Sequence, residues 1–260
     1  MAPSPSPIVL LHGFTQTSVS WRPIVEHLRV IDADLEVVAL DLPGHGDASH
    51  VQADLATSAT WVADRIGEQL NHEPAVVVGY SMGGRVALRL ALDHPAVTRS
   101  VVLFSATAGI DDPIERHARR AADGALADQI EVGGVDVFLE SWLALPLFEG
   151  RVPAPDDLQA RRANPAAGLA SSLRLAGTGT MDPPWWSDIA AIDVPILVAW
   201  GERDAKFAAL GHRLAGAIGA NATMQPLPGA GHAAHLDDPA VAARLIAHWA
   251  TSPGAPPTLR

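Results

Sequence analysis

The chain has 260 residues, 48% of them hydrophobic and 18% charged, which is enough apolar material for a sizeable core and excludes a disordered chain. Eighteen Lys and Arg against 29 Asp and Glu leave a net charge of −11, which argues against a general binder of nucleic acid or anionic membrane, because a polyanion is repelled before specific contacts form. The absence of cysteine excludes disulfides, thiolate nucleophiles and cysteine-ligated zinc, so a nucleophile has to come from Ser, Thr, Asp or Lys.

Residues 1–7 carry no basic segment and run directly into an apolar stretch, so they do not read as a secretory signal. No apolar run approaches the roughly 18 residues that a bilayer span needs, and the expected setting is soluble and cytoplasmic. Short apolar runs at 8–11, 36–40, 75–78, 100–104 and 195–200 read as strands buried on both faces, with 223–227 a weaker last strand. Helical patterns lie between them at 58–70, 84–92, 207–218 and 239–249. Such alternation predicts an α/β fold with a doubly wound, mostly parallel sheet. It stops between 109 and 188, where helical stretches at 114–131, 135–143 and 165–175 are separated by Pro- and Gly-containing turns. We read this insertion as a lid over the carboxyl edge of the sheet, which divides the chain into a core of 1–108 and 189–260 and a lid of 109–188. There is no internal repeat, and 252–260 has the composition of a frayed end.

The most specific short signal is Gly79-Tyr80-Ser81-Met82-Gly83-Gly84, between a Val-rich strand and an amphipathic helix. A sharp strand-to-helix turn holds such a serine in a strained conformation at a helix N-terminus, and the small flanking residues keep the backbones from colliding. Leu11-His12-Gly13-Phe14 follows the first strand, so the backbone N–H groups of Phe14 and Met82 are the expected oxyanion donors. The His12 side chain is expected only to order its turn.

Eleven histidines compete to be the base that Ser81 needs. His232 is preferred, because it lies in a Gly-rich loop after the last strand and before the last helix, in the order Ser, acid, His. Its neighbour His235 reads as a helix-start or surface residue. Asp204, just past the carboxyl end of a strand, can orient the imidazole of His232, with Glu202 its closest rival. The long gap between Ser81 and Asp204 is what the inserted lid requires. No metal site is expected, since His232 and His235 lack the partners of a metal-binding helix and His45 with Asp47 reads as loop punctuation. The single lysine is Lys206, so almost all positive charge is arginine; Arg85 falls one helical turn beyond Ser81, on the same side.

Together these segments resemble the α/β-hydrolase superfamily along essentially the whole chain. Asp41-Leu-Pro-Gly-His-Gly46, Gly79-Tyr-Ser-Met-Gly-Gly-Arg-Val-Ala87, Gly201-Glu-Arg-Asp-Ala-Lys-Phe207 and Ala230-Gly-His-Ala-Ala-His235 look more narrowly like the menaquinone-pathway family of 2-succinyl-6-hydroxy-2,4-cyclohexadiene-1-carboxylate synthases. In the insertion, Ser141-Trp-Leu-Ala-Leu-Pro-Leu-Phe148 and Leu173-Arg-Leu-Ala-Gly-Thr-Gly179 are similar to stretches of the same family.

The resemblance implies a lyase that removes a proton alpha to a carbonyl and expels pyruvate from an enolpyruvyl cyclohexene carboxylate, without cofactor or metal. It implies Ser81 as proton acceptor, activated by His232, with Asp204 orienting the imidazole. It also implies Arg85, Arg119 and Arg162 as carboxylate partners, with Tyr80 and Trp142 shaping the pocket. A substrate with several carboxylates needs several guanidinium groups, which suits the arginine-rich composition. Two departures stand out: Leu143 replaces a tyrosine that family members can carry, and 124–134 matches only loosely. The expected partner is a small anionic substrate, not nucleic acid or membrane, and the expected state is a monomer or weak homo-oligomer. A serine esterase or other acyl hydrolase is the alternative, because the same triad serves both chemistries, and a noncatalytic ligand receptor is a third.

Overall fold

Val- and Ile-rich segments that alternate between two buried faces form the centre of the molecule. The computed structural model describes residues 6–256; most of the amino-terminal stretch read against a signal sequence, and the end of the tail read as frayed, lie outside these residues. Six parallel strands, β1 (Ile8–Leu11), β2 (Val37–Leu40), β3 (Ala75–Tyr80), β4 (Thr98–Phe104), β5 (Ile196–Gly201) and β6 (Ala222–Leu227), pair in the order β2-β1-β3-β4-β5-β6. Val9, Leu11, Val77, Val101 and Leu103 face one core, whereas Ile8, Leu10, Val76, Val78 and Val102 face the other.

Helices α2 (Leu55–Gln69), α3 (Met82–Asp93) and α7 (Ala205–Ile218) contribute to the first core; α1 (Arg22–Ile31) and α9 (Pro239–Thr251) contribute to the second. Helix α1 is not among the expected helices, although Ile24, Val25, Leu28 and Ile31 fall on one face at amphipathic spacing; Ile24 and Leu28 are buried and Val25 packs beside them on the second core, while Val30 faces solvent. Strand order reverses between β1 and β3, and a crevice therefore opens at their carboxyl ends, where open α/β sheets bind ligands.

Between β4 and β5, among the described residues, the chain forms helices and turns and no strand. Helix α4 (Pro113–Leu143) joins the two expected segments across a kink at Gly134, which has φ 82°. After it come α5 (Pro155–Arg162), not foreseen from the sequence, and α6 (Ala166–Ala176). Ala127, Ile130 and Phe138 of α4 and Leu169, Ala170 and Leu173 of α6 make a third apolar cluster, against which Phe14 and Trp142 pack. This cluster brings the helical segment onto the loop after β1. A last short helix, α8 (Ala234–Asp237), follows the His232 loop. No helix among the described residues is long and apolar enough to cross a membrane.

Candidate active site

Strand β3 ends at Tyr80 and α3 begins at Met82, leaving Ser81 to make the whole turn at φ 51° and ψ −104°. A non-glycine residue in this region costs about 1–3 kcal/mol and persists only where its surroundings hold it. Two hydrogen bonds do so here: the Ser81 N–H donates to the Phe104 carbonyl at 2.9 Å, and the Arg85 N–H donates to the Ser81 carbonyl at 3.2 Å. Gly83 is required by close approach, since a Cβ there would overlap the Leu11 carbonyl oxygen. Met82 is the first residue of α3, so its N–H has no intrahelical acceptor and carries the positive end of the helix dipole.

The loop after β1 is held by hydrogen bonds at three of the four amides from Gly13 to Gln16. Gln16 Oε1 accepts the Gly13 N–H at 2.9 Å, His45 Nε2 accepts the Thr15 N–H at 3.3 Å, and the Gln16 N–H donates to the Gly13 carbonyl at 3.1 Å. The Phe14 N–H is left without an acceptor among the described residues. His12 is completely buried; its Nδ1 donates to the Gly13 carbonyl at 2.8 Å and its Nε2 accepts the Leu42 N–H at 3.0 Å. That pair of bonds requires the neutral ring, and burial lowers the His12 pKa to about 4. Burial, reinforced by His12, lowers that of His45 to about 3. His45, read from the sequence as punctuation, is therefore a buried strut for this loop.

On the other side of the crevice, Asp204 caps α7 by accepting the Phe207 N–H at 3.1 Å, and its second oxygen accepts from His232 Nδ1 at 2.8 Å. Burial raises the Asp204 pKa, but the His232 and Phe207 hydrogen bonds outweigh it and the net shift is downward, which favours the carboxylate. The His232 loop lies so close to β5 that a Cβ on Gly201 would overlap the Gly231 carbonyl. Ser105, at φ 51°, donates its hydroxyl to the His232 carbonyl at 2.8 Å and fixes the loop from a third side. Sequence reasoning passed over Ser105, which carries no motif. His235 is 1% exposed and lies among Tyr80, Trp21 and Phe104, so it is not a surface residue; burial is the main cause that holds its pKa well below the usual imidazole value.

Ser81, Met82, Phe14 and His232 line one cavity of about 130 Å³ between the sheet edge and the helical insertion. Tyr80, Arg85, Arg119 and Trp142 line it too. Tyr80 packs its ring 5.4 Å from that of His232, and Trp142 meets Phe14 edge-on at 5.3 Å. Arg85 is buried and donates to the Ala176 carbonyl at 2.6 Å; burial lowers its pKa to about 10, which leaves it charged at neutral pH. Arg119 uses Nε on buried Asp123 at 2.8 Å, so both of its terminal nitrogens are free of that contact.

Arg162 does not reach the cavity: its side chain is half-exposed and pairs with Asp136 at 3.1 Å. The adjacent Arg161 lines the cavity instead, buried between Asp157 at 2.9 Å and the Thr15 hydroxyl at 3.2 Å. One residue along a helix is a rotation of about 100°, so neighbouring arginines face different ways. The signal that separates them is Asp157, four residues before Arg161. Arg151, Lys206 and Gln16 also line the cavity and were not foreseen. Of the residues around it, five are cations and none is Asp or Glu. Among the described residues no group of three or more His, Asp or Glu side chains could hold a metal ion.

Residues 8–245 match the family model described as the alpha/beta hydrolase family. A relative from Enterobacter sp. (strain 638), named 2-succinyl-6-hydroxy-2,4-cyclohexadiene-1-carboxylate synthase, is 30% identical over 243 residues, covering 92% of this chain and 90% of that protein. A Bacillus subtilis (strain 168) relative, provisionally given the same name, is 32% identical over 253 residues, covering 94% of this chain and 90% of its own. Among solved structures, MenH from S. aureus superposes with a TM-score of 0.83 at 30% identity, covering 93% of this chain and 91% of that one. A thermophilic esterase from Thermogutta terrifontis, solved with malate bound, shares the fold with a TM-score of 0.76 at 24% identity, covering 94% and 89%. The sheet order, the turn at Ser81 and these matches agree: the chain belongs to the alpha/beta hydrolase family.

Proposed function

We propose that this protein is a carbon–oxygen lyase of menaquinone biosynthesis, which eliminates pyruvate from an enolpyruvyl cyclohexene carboxylate to give 2-succinyl-6-hydroxy-2,4-cyclohexadiene-1-carboxylate. The observation that carries this reading is the cavity wall, which has five cations and no carboxylate and includes both Ser81 and His232. A neutral ester needs no such wall, whereas a substrate with several carboxylates does. Relatives named for this synthase match nearly the full chain, which supports the same assignment.

In the proposed reaction, the Ser81 hydroxyl passes its proton to His232 and takes the proton alpha to the succinyl carbonyl. The electron pair of that C–H bond moves into the ring as the C–O bond to the enolpyruvyl group breaks. Enolpyruvate leaves, recovers a proton and becomes pyruvate, while the ring keeps a conjugated diene. Asp204 fixes the tautomer of His232 and stabilises the imidazolium. The Phe14 and Met82 N–H groups face the carbonyl oxygen as negative charge develops on it. The helical insertion acts as a lid that excludes water and brings Arg119, Arg151 and Arg161 to the substrate.

The test supplies the enolpyruvyl substrate and follows pyruvate by a coupled assay alongside diene absorbance. The expected result is turnover by the wild type and its loss, by about 10³-fold or more, in Ser81→Ala. Pyruvate release equal to background from folded wild type would refute the assignment and leave acyl hydrolysis, for which the same serine, histidine and aspartate are suited.

A further inference from the structure

Segment 148–151 of the insertion touches His232 and the end of α8, the helix that follows the His232 loop. The Phe148 ring lies 6.1 Å from that of His232, and Arg151 Nη1 donates to Asp237 at 3.1 Å. Asp237 uses its other oxygen to accept the Gly231 N–H at 2.7 Å, one residue before His232. One carboxylate therefore holds both an arginine of the insertion and the backbone of the loop that carries the base. Arg151 itself lines the cavity with His232 and Ala233. A guanidinium has five N–H donors, and Asp237 takes one; the rest remain for a ligand that approaches from the cavity. Asp237 does not line the cavity, so it fixes the arginine without placing negative charge against the substrate.

We propose that Arg151 is a substrate-carboxylate contact and that Asp237 is a positioning residue, which holds Arg151 at the cavity and, through Gly231, holds the loop of His232. This rests on the reading of the cavity as a site for a polycarboxylate. It predicts two separable effects: loss of Arg151 weakens binding and leaves the serine–histidine pair intact, whereas loss of the Asp237 charge disturbs both.

The experiment measures kcat and KM for pyruvate release in R151Q, R151K and D237N. In parallel it follows inactivation of Ser81 by phenylmethylsulfonyl fluoride, a neutral reagent, with and without millimolar succinate. For R151Q the expected result is a KM raised by about tenfold or more with kcat within about threefold of wild type, since a charged hydrogen-bond partner is lost at the binding step. Its inactivation rate should equal that of wild type, and succinate should protect wild type but not R151Q. R151K should recover part of the KM, and D237N should show both a raised KM and slower inactivation. An R151Q enzyme with wild-type KM and undiminished succinate protection would overturn the Arg151 assignment; wild-type inactivation kinetics in D237N would overturn the role of Asp237. If wild type releases no pyruvate, yet succinate protects it and not R151Q, the carboxylate contact stands and the reaction assigned to the site falls.

Discussion

Arg85 is a full positive charge, buried, whose direct partner is a neutral carbonyl 2.6 Å away. An arrangement of that kind is unfavourable in an empty cavity and favourable once an anion arrives, because the ligand then supplies the missing charge. Arg85→Ala should therefore lower kcat/KM for a polycarboxylate by about tenfold to a hundredfold, the loss of one charged hydrogen-bond partner. Asp123 has the complementary role for Arg119. It is 2% exposed, accepts from Arg119 Nε at 2.8 Å and has a second oxygen without a partner among the described residues. Asp123→Asn keeps the shape and removes the charge that holds the guanidinium, so KM should rise by about tenfold while kcat changes little, as steady-state kinetics would show. At this scale the sequence was unevenly informative. Ser81, Asp204 and His232 stand in motifs that a turn, a strand end and a Gly-rich loop dictate. The cations do not: Arg161 differs from Arg162 only by helical rotation, and Arg151 sits in a turn whose path depends on what it packs against.

Elements explain which parts of the fold could be read. The inner strands β1, β3, β4 and β5 are short apolar runs buried on both faces, so composition alone marks them, whereas the edge strand β6 has Met224 and Pro226 exposed and gives the weaker signal. Helix α5 escaped because the two residues it buries, Asp157 and Arg161, are charged and make no apolar stripe, whereas α1 carries a legible stripe of Ile24, Val25, Leu28 and Ile31 that was passed over. Helix α5 matters to the site nonetheless. Arg161 reaches the Thr15 hydroxyl, and Asn164 just beyond donates to the Thr15 carbonyl at 3.0 Å, which ties the insertion to the loop that carries Phe14. The junction of β1, β3 and α3 tolerates little change, since α3 starts in contact with the Leu11 carbonyl through Gly83. Gly83→Ala should destabilise the protein by about 3 kcal/mol, read as a lower denaturation midpoint at unchanged m, because the added methyl must push the helix off the strand.

Over the whole molecule, charge and protonation are distributed unevenly. The net charge is −11, yet the cavity wall carries five cations and no Asp or Glu, so bulk charge does not describe the cavity. His12, His45 and His235 are buried and neutral, with pKa values of about 4, about 3 and well below the usual imidazole value. On acidification the unfolded chain protonates these rings first, so stability is complete above about pH 6.5 and declines as pH falls towards about 4. Unfolding near pH 5 should take up roughly three more protons than unfolding at pH 8, measurable from the pH dependence of the unfolding free energy. The most direct test of the central claim, that this cavity selects a polyanion for elimination, compares Arg85→Ala with wild type on two substrates, the enolpyruvyl carboxylate and a small neutral ester. The account predicts pyruvate release by wild type and a loss of about tenfold or more in kcat/KM for the variant, with any ester hydrolysis unaffected. Equal losses on both substrates, or wild type that cleaves the ester and releases no pyruvate, would contradict it.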